Sequence, residues 1–317
     1  MAYLLLVVGF GLLIKGADLF VDGSSNIAKL LRISPIVIGL TIVSFGTSFP
    51  EATVSIIAAL EGSADVSLGN VIGSNIFNIT LIVGVAACIY PLKIQGESVK
   101  KEIPFALLAS GVLLVLISDT VLNGYHINSL TRSDGIIFLL ILCVFLYYVF
   151  EVAMKSREST PKVEVPGHIK WWKSILYLFI GVIAIVVGGN LVVTNGTEIA
   201  LSLGMSETLV GLTIIAIGTS LPELVTSIMA ALKKENEIAF GNIIGSNIFN
   251  ILFVLGTSAT ITPLVVNDKV FIDVILMILF TFLLLIFSRT HFRIGRKEGI
   301  SLLIAYVVYL IYIIVRN

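Results

Sequence analysis

Long apolar runs alternate with short polar segments along the whole chain. An apolar helix of about 20 residues is long enough to cross the hydrocarbon core of a bilayer, which is about 30 Å thick. The longest polar segment, residues 154–170, is too short to form a soluble domain. We therefore expect an all-α integral membrane protein whose surroundings are the lipid bilayer. Its ten predicted transmembrane helices lie near residues 3–28, 34–60, 66–90, 103–118, 134–153, 172–200, 207–231, 238–262, 270–288 and 298–315.

Composition and charge agree with this class and add an orientation. Charged residues make up 13% of the chain, against about 25% in soluble domains. Sixteen of the 20 Lys and Arg residues fall in loops on one predicted side of the bilayer, and only Arg132, Lys269 and Arg316 fall on the other. Because cytoplasmic loops are rich in Lys and Arg, both termini are expected outside and the 154–170 loop in the cytoplasm. No basic region precedes the first run, so no cleaved signal peptide is expected.

Two polar motifs occur twice at one spacing. GTSFPEATVS at residues 46–55 returns as GTSLPELVTS at 218–227, and GNVIGSNIFN at 69–78 returns as GNIIGSNIFN at 241–250. Each second copy lies 172 positions after the first. Burial in lipid requires only apolar side chains, so the repetition of the polar and small residues indicates a function.

The repeat also predicts the domain organisation. Residues 1–153 form a first repeat of five helices, residues 154–170 a cytoplasmic linker, and residues 171–317 a second repeat of five. Because five is odd, the second repeat inserts upside down relative to the first. Inverted repeats of this kind are common in secondary transporters, which bind substrate between the repeats near the bilayer midplane.

Each copy of the first motif places a proline and a glutamate inside an apolar helix. Pro50 and Pro222 lack an N–H group and clash with the preceding turn, so helices 2 and 7 should be broken there. A carbonyl oxygen freed at that depth needs a partner, such as a bound ion. In helical geometry the nearby hydroxyl groups would lie on the same face as the carboxylate. The two predicted sets are Thr47, Ser48, Glu51 and Thr219, Ser220, Glu223.

The second motif adds a polar stripe to the third and eighth helices. The stripe repeats every four residues, and glycines beside it would let another helix approach closely. Asn75 and Asn247 should point away from the stripe and serve helix packing. The two stripes are Asn70, Ser74, Asn78 and Asn242, Ser246, Asn250.

The resulting pocket would contain only oxygen ligands. Hard cations such as Ca²⁺ take six to eight oxygens from carboxylates, carbonyls and similar groups. A charge at the bilayer centre costs at least about 2.5–3.5 kcal/mol, so Glu51 and Glu223 must be neutralised by protons or by a mobile cation. Alternation between two such neutralising species is what an antiporter requires. The competing interpretations are a buried protonated glutamate and an ion pair with Lys15.

These paired motifs resemble the calcium/cation antiporter superfamily, specifically its sodium/calcium exchanger branch with its bacterial and archaeal members. The resemblance covers nearly the whole chain. It implies ten transmembrane helices in two inverted halves, with Ca²⁺ and Na⁺ bound between helices 2, 3, 7 and 8, in the plasma membrane of a prokaryote. It implies that Glu51 and Glu223 bind both ions, that Thr47 and Thr219 supply carbonyl oxygens, that Ser48, Ser74, Ser220 and Ser246 bind sodium, and that Asn78 and Asn250 form a central polar pair.

Departures from the family pattern bear on the coupled ion. Several relatives, including the potassium-dependent branch, have Asp at the position of Asn250, so potassium coupling is not expected here. The proton-coupled branch carries glutamates in a Gly-Asn-x-x-Glu pattern, which GNVIG and GNIIG lack. Sodium is therefore favoured as the counter-ion, and a Ca²⁺/H⁺ antiporter is the alternative.

Two other function classes fit the motifs less well. A passive cation channel could also use acidic residues for selectivity, but a pocket broken by two prolines suits alternating access better. An intramembrane hydrolase would need a base beside its serine, and His126, His168 and His291 all lie in predicted loops. We therefore expect no enzyme activity, no cofactor beyond the transported ions, and neither a nucleic-acid nor a protein partner.

Overall fold

A computed structural model describes residues 1–94, 96–122, 124, 126–159, 169–204, 216–290 and 292–316. Within these ranges the regular structure is helical apart from four very short strands. Seven described helices are long and apolar enough to cross a membrane: α1 (Ala2–Leu31), α4 (Ala64–Ile89), α8 (Arg132–Ser159), α9 (Trp171–Ser202), α12 (Asn236–Ile261), α13 (Asp268–Arg289) and α14 (Arg296–Arg316). The bent pair α2 (Pro35–Thr47) and α3 (Phe49–Leu60) together makes an eighth candidate.

The remaining described helices are shorter. Two of them are apolar, α6 (Glu102–Leu116) and α11 (Leu221–Leu232). The others are α5 (Gly96–Lys100), α7 (Asp119–Leu122) and α10 (Ala216–Gly218). The first part of the predicted seventh span, up to residue 215, lies outside the described residues.

Both repeated prolines lie in the first turn of a helix that follows a break. Helix α2 ends at Thr47, and α3 starts at Phe49 with its axis bent by 49°. In the second half α10 ends at Gly218, and α11 starts at Leu221. Proline suits the first turn of a helix, where its missing N–H would have had no intrahelical partner. The breaks therefore lie just before Pro50 and Pro222, as the motif predicts.

The described part of the chain has three stretches of wider, π-helical backbone beside the repeated motifs. They span Gly39–Val43 in α2, Asn78–Ile82 in α4 and Asn250–Leu255 in α12. Short π-helical segments inside α-helices are rare in proteins, and those that occur often lie at functional sites. Two of the three begin at the asparagines of the predicted central pair.

Helices α4 and α12 are the most buried of the long helices and form the centre of the molecule. Helices α1 and α9 cross closely at one side of it, through glycines that match between the halves. A Cβ atom on Gly9 would lie 3.0 Å from the Gly188 carbonyl oxygen, and one on Gly188 would lie 2.8 Å from the Gly9 carbonyl oxygen. Gly16 and Gly181 lie equally close to the backbone of the opposite helix. Small residues at such a crossing allow backbones to touch.

Four short strands pair loops that belong to different halves. Strand β1 (Leu92–Lys93) pairs antiparallel with β4 (Arg293–Ile294), and β2 (Asn128–Leu130) pairs antiparallel with β3 (Leu264–Val266). The apolar pattern gives no sign of them because they are too short to show alternation.

Helix α8 extends to Ser159, so the first residues of the predicted 154–170 linker are helical. An ion pair between Glu151 and Lys155, one turn apart, supports this extension. Residues 160–168 of that segment lie outside the described residues.

Candidate functional site

Two buried glutamates occupy matching positions in the two halves. Glu51 lies in the first turn of α3 and Glu223 in the first turn of α11, and both are 0% exposed. The N-terminus of a helix carries a partial positive charge that favours a carboxylate. Lys15 is not their partner, because it forms an ion pair with Asp18 and its side chain is 70% exposed.

Each glutamate is hydrogen-bonded by a serine from the opposite half. The Ser48 hydroxyl donates to Glu223 Oε1 over 2.8 Å, and the Ser220 hydroxyl donates to Glu51 Oε1 over 3.0 Å. Ser220 also lies 2.9 Å from the Ser74 hydroxyl. Each serine is therefore hydrogen-bonded to the glutamate of the other motif and not to that of its own. Ser48 and Ser220 sit in the breaks themselves, where the spacing of a regular helix does not apply.

The threonines of the first motif are tied to asparagines of the opposite half. Thr47 Oγ1 lies 3.0 Å from Asn242 Oδ1, and Thr219 Oγ1 lies 3.1 Å from Asn70 Oδ1. Thr47 is buried, whereas Thr219 is half-buried. Their hydroxyl groups thus tie each break to a helix of the opposite half. Within the described residues, no backbone N–H group donates to the Thr219 carbonyl oxygen.

Two further serines complete this arrangement, and the motif spacing did not identify them as site residues. Asn70 Nδ2 donates to the Ser55 hydroxyl over 2.9 Å, and Asn242 Nδ2 donates to the Ser227 hydroxyl over 3.0 Å. These serines occupy the last position of the two copies of the first motif. Their occurrence at the same position of both copies was the sequence signal that could have identified them as site residues.

The centre of the site is a group of four asparagines from α4 and α12. Asn78 Nδ2 donates to Asn247 Oδ1 over 3.0 Å, and Asn250 Nδ2 donates to Asn75 Oδ1 over 3.1 Å. All four side chains are buried. Asn75 and Asn247 therefore do not point away from the predicted central pair but bond to it directly, because the partner of each is in the opposite half.

Five buried oxygens of predicted site residues accept no hydrogen bond from the described part of the chain. Leaving a buried polar atom without a partner costs about 1–3 kcal/mol. The chemistry common to these atoms is that of ligands for a hard cation. They are Glu51 Oε2, Glu223 Oε2, Asn78 Oδ1, Asn250 Oδ1 and Ser246 Oγ.

The ligand types favour some metals over others. Across the described ranges, no three His, Cys, Asp or Glu side chains cluster as a metal site. The site instead combines two carboxylates with neutral oxygens. Oxygen-only sites suit Ca²⁺, Mg²⁺ and Mn²⁺ rather than zinc or copper.

A cavity of about 530 Å³ extends from this site. Its lining includes Asn70, Ser74 and Thr219 at the site and also Asp273 and Arg316. Arg316 holds Asp273 through two hydrogen bonds, Nη1–Oδ1 over 2.9 Å and Nη2–Oδ2 over 2.8 Å. The cavity thus joins the motif residues to a charged pair near the end of α14.

Comparisons with known proteins give consistent matches over nearly the whole chain. The family model described as sodium/calcium exchanger protein matches residues 1–151 and 173–315. The chain is 40% identical over 317 residues to the putative antiporter CaxA of Alkalimonas amylolytica, covering 97% of each protein. It is 34% identical over 341 residues to the sodium/calcium exchanger MaX1 of Methanosarcina acetivorans, covering 98% of this chain and 97% of that protein.

A solved structure agrees with the sequence matches. The sodium-calcium exchanger NCX_Mj, soaked with 10 mM Na⁺ and 10 mM Sr²⁺, superposes with a TM-score of 0.84 at 31% identity. The match covers 97% of this chain and 96% of that one. The chain belongs to the sodium/calcium exchanger family, in its prokaryotic branch. It is therefore a multi-pass membrane protein of a family of cation/calcium antiporters, which are transporters and not enzymes.

Proposed function

We propose that the protein exchanges Ca²⁺ for Na⁺ across the membrane at a single site near the bilayer midplane. One observation carries the proposal. Glu51 and Glu223 are fully buried, and each keeps one oxygen free of hydrogen bonds to the described residues. Within those residues neither glutamate has an ion-pair partner. Two such carboxylates carry a charge of −2, which one Ca²⁺ or two Na⁺ would balance.

The ligand set follows from the same geometry. Glu51 and Glu223 would bind either ion, with Asn78 and Asn250 supplying amide oxygens between them. Ser48, Ser74, Ser220 and Ser246 would supply hydroxyl oxygens to sodium. Thr47 and Thr219 would supply backbone carbonyl oxygens, while their hydroxyls hold the breaks through Asn242 and Asn70.

The exchange would operate by alternating access between two inverted repeats. Residues 1–153 and 171–317 would each contribute five of ten transmembrane helices. Support comes from the hydrogen bonds, which occur in reciprocal pairs at the 172-residue spacing. Such reciprocity is what a twofold relation produces.

The orientation rests on the distribution of positive charge. Both termini would lie outside the plasma membrane of a prokaryote and the 154–170 segment in the cytoplasm. Access would alternate as α1 and α9, which cross through matching glycines, move against the rest of the bundle.

Sodium is preferred to protons as the counter-ion because of the neutral oxygens. A proton needs only the carboxylates, whereas Na⁺ also needs ligands such as Ser246 Oγ and Asn78 Oδ1. Both of these atoms are buried and accept no hydrogen bond from the described residues.

The test is ⁴⁵Ca²⁺ uptake by proteoliposomes with Na⁺, H⁺ and K⁺ gradients imposed one at a time. An outward Na⁺ gradient should drive uptake, and the other two gradients should not. Uptake driven only by a proton gradient would favour the Ca²⁺/H⁺ alternative. Uptake that follows the membrane potential and ignores every gradient would indicate a channel.

A further inference from the structure

We propose that Asn75 and Asn247 are positioning residues that fix which end of the Asn78 and Asn250 amides faces the transported cation. An asparagine side chain has an oxygen, which can bind a cation, and an NH₂ group, which cannot. The two ends have almost the same size, so packing alone does not select between them. This inference rests on the proposed function, because it concerns ligands of that site.

The orientation begins at two backbone carbonyl groups. Asn247 Nδ2 lies 3.3 Å from the Asn75 carbonyl oxygen, and Asn75 Nδ2 lies 3.2 Å from the Asn247 carbonyl oxygen. A carbonyl oxygen can only accept a hydrogen bond. The NH₂ group of each amide must therefore face the other helix's backbone, and its Oδ1 must face the opposite way.

The second step passes this orientation to the ligands. Asn247 Oδ1 can also only accept a hydrogen bond, so the Asn78 side chain must present its NH₂ group to it. Asn78 Nδ2 lies 3.0 Å from Asn247 Oδ1. The equivalent bond from Asn250 Nδ2 to Asn75 Oδ1 measures 3.1 Å. In each of these two series of hydrogen bonds, the direction of donation is set by a backbone carbonyl oxygen, which can only accept.

The third step concerns the other end of the Asn78 and Asn250 side chains, the Oδ1 atoms. With their NH₂ groups committed, Asn78 and Asn250 have only Oδ1 left, and both of these oxygens are buried without a hydrogen bond from the described residues. A reversed amide would instead put its NH₂ group where Oδ1 now lies, and an NH₂ group cannot bind a cation. The two asparagines that contact no cation thus determine that the other two can.

The arrangement matters because this chain has asparagine, not aspartate, at both central positions. An aspartate has two equivalent oxygens and presents an acceptor in either orientation. Aspartate at position 78 would also place an oxygen against Asn247 Oδ1, which is repulsive. The positioning residue should therefore help an asparagine ligand and should not help an aspartate ligand.

The test is a double-mutant comparison of ⁴⁵Ca²⁺ binding and exchange. Asn247→Ala should weaken Ca²⁺ affinity and raise the KM about 10- to 100-fold, the usual effect of losing a residue that orients a metal ligand. In an Asn78→Asp background the same change should cost less than about threefold or should improve affinity. If Asn247→Ala does not fold, the same comparison can be made with the equivalent residues of the other repeat, Asn75→Ala and Asn250→Asp.

A matched control is Asn195→Ala. Asn195 is also a buried asparagine in a long helix, but its Nδ2 bonds over 2.7 Å to Leu191 O of its own helix. Its replacement should leave Ca²⁺ affinity unchanged. An Asn247→Ala effect of the same size in the wild-type and Asn78→Asp backgrounds would show ordinary packing and would overturn the proposal.

A second measurement does not depend on transport. In protein labelled with ¹⁵N-asparagine, the Asn78 side-chain NH₂ signal, assigned by its loss in Asn78→Asp, should be protected from hydrogen exchange and should lose protection in Asn247→Ala. An unprotected signal in the wild type would refute the orientation. If the wild type bound no Ca²⁺, the proposed function would fail, while this signal would still decide the amide orientation.

Discussion

Replacing Glu51 by glutamine should remove Ca²⁺ binding without unfolding the protein. The Glu51 carboxylate is fully buried and receives one hydrogen bond, from Ser220, while Oε2 receives none from the described residues. Glutamine keeps the acceptor for Ser220 but puts an NH₂ group at the position of Oε2. The site charge falls from −2 to −1, and one ligand becomes a donor.

The magnitude follows from the loss of one partner of a buried charge pair. Such a loss costs about 3–5 kcal/mol, which corresponds to a fall in Ca²⁺ affinity on the order of 10²- to 10⁴-fold. The stability of the ion-free protein, in contrast, should not fall. Because an uncompensated buried carboxylate is itself unfavourable, Glu51→Gln should leave the thermal midpoint of the ion-free protein unchanged or raise it.

The assay is thermal unfolding of the purified protein with and without Ca²⁺. Ligand at about 100 times its Kd stabilises a folded protein by about 2.7 kcal/mol, and this increment should vanish in Glu51→Gln along with ⁴⁵Ca²⁺ exchange. Glu102→Gln is the matched control. Glu102 is 3% exposed and accepts a hydrogen bond from the Tyr148 hydroxyl, outside the motifs. A Glu51→Gln protein that kept normal exchange and its Ca²⁺-dependent stabilisation would refute the site assignment.

Three further changes test other parts of the structure. Ser48→Ala should raise the KM for Na⁺ in exchange assays, because it removes both a proposed sodium ligand and the hydrogen bond to Glu223. An unchanged sodium dependence would contradict this role. Gly16→Val should abolish transport or folding, since a Cβ atom at this position would lie 2.9 Å from a backbone nitrogen of α9. Gly11 has open space around it, so Gly11→Ala should behave as wild type in the same flux assay. Arg316→Gln should lower the thermal midpoint by removing the two hydrogen bonds to Asp273 of α13, and lysine should rescue it only in part because an ammonium group cannot reproduce that fork. Full rescue by lysine would show that charge alone matters.

The sequence was sufficient to predict features that depend on short-range chemistry. The broken helix follows from Pro50, whose ring and missing N–H act within a single turn. The membrane class follows from the apolar runs. The repetition of Glu51 as Glu223 pointed to the two acidic residues of the candidate site, and the structure buries both of them.

The partners of those residues could not be predicted in the same way. The spacing of Ser48 and Glu51 suggests contact within one motif, but Ser48 bonds to Glu223 because the two breaks face each other across the molecule. The angular position of Asn75 on its own helix suggests a packing role, whereas its bond to Asn250 depends on a second helix. Pairings of this kind are tertiary, and helical periodicity describes one helix at a time.

The crossed serine bonds also bear on how the protein is made. Glu51 receives its hydrogen bond from Ser220, which is synthesised 169 residues later. Domains generally fold as units, the N-terminal one first during synthesis, and each proposed repeat would be such a unit. During that interval the nascent first half would carry a buried acidic group without its donor, a state that favours a protonated carboxyl or one still in contact with water. Completion of the site would then be among the last steps of biogenesis, and a ribosome-arrested first half should not retain Ca²⁺.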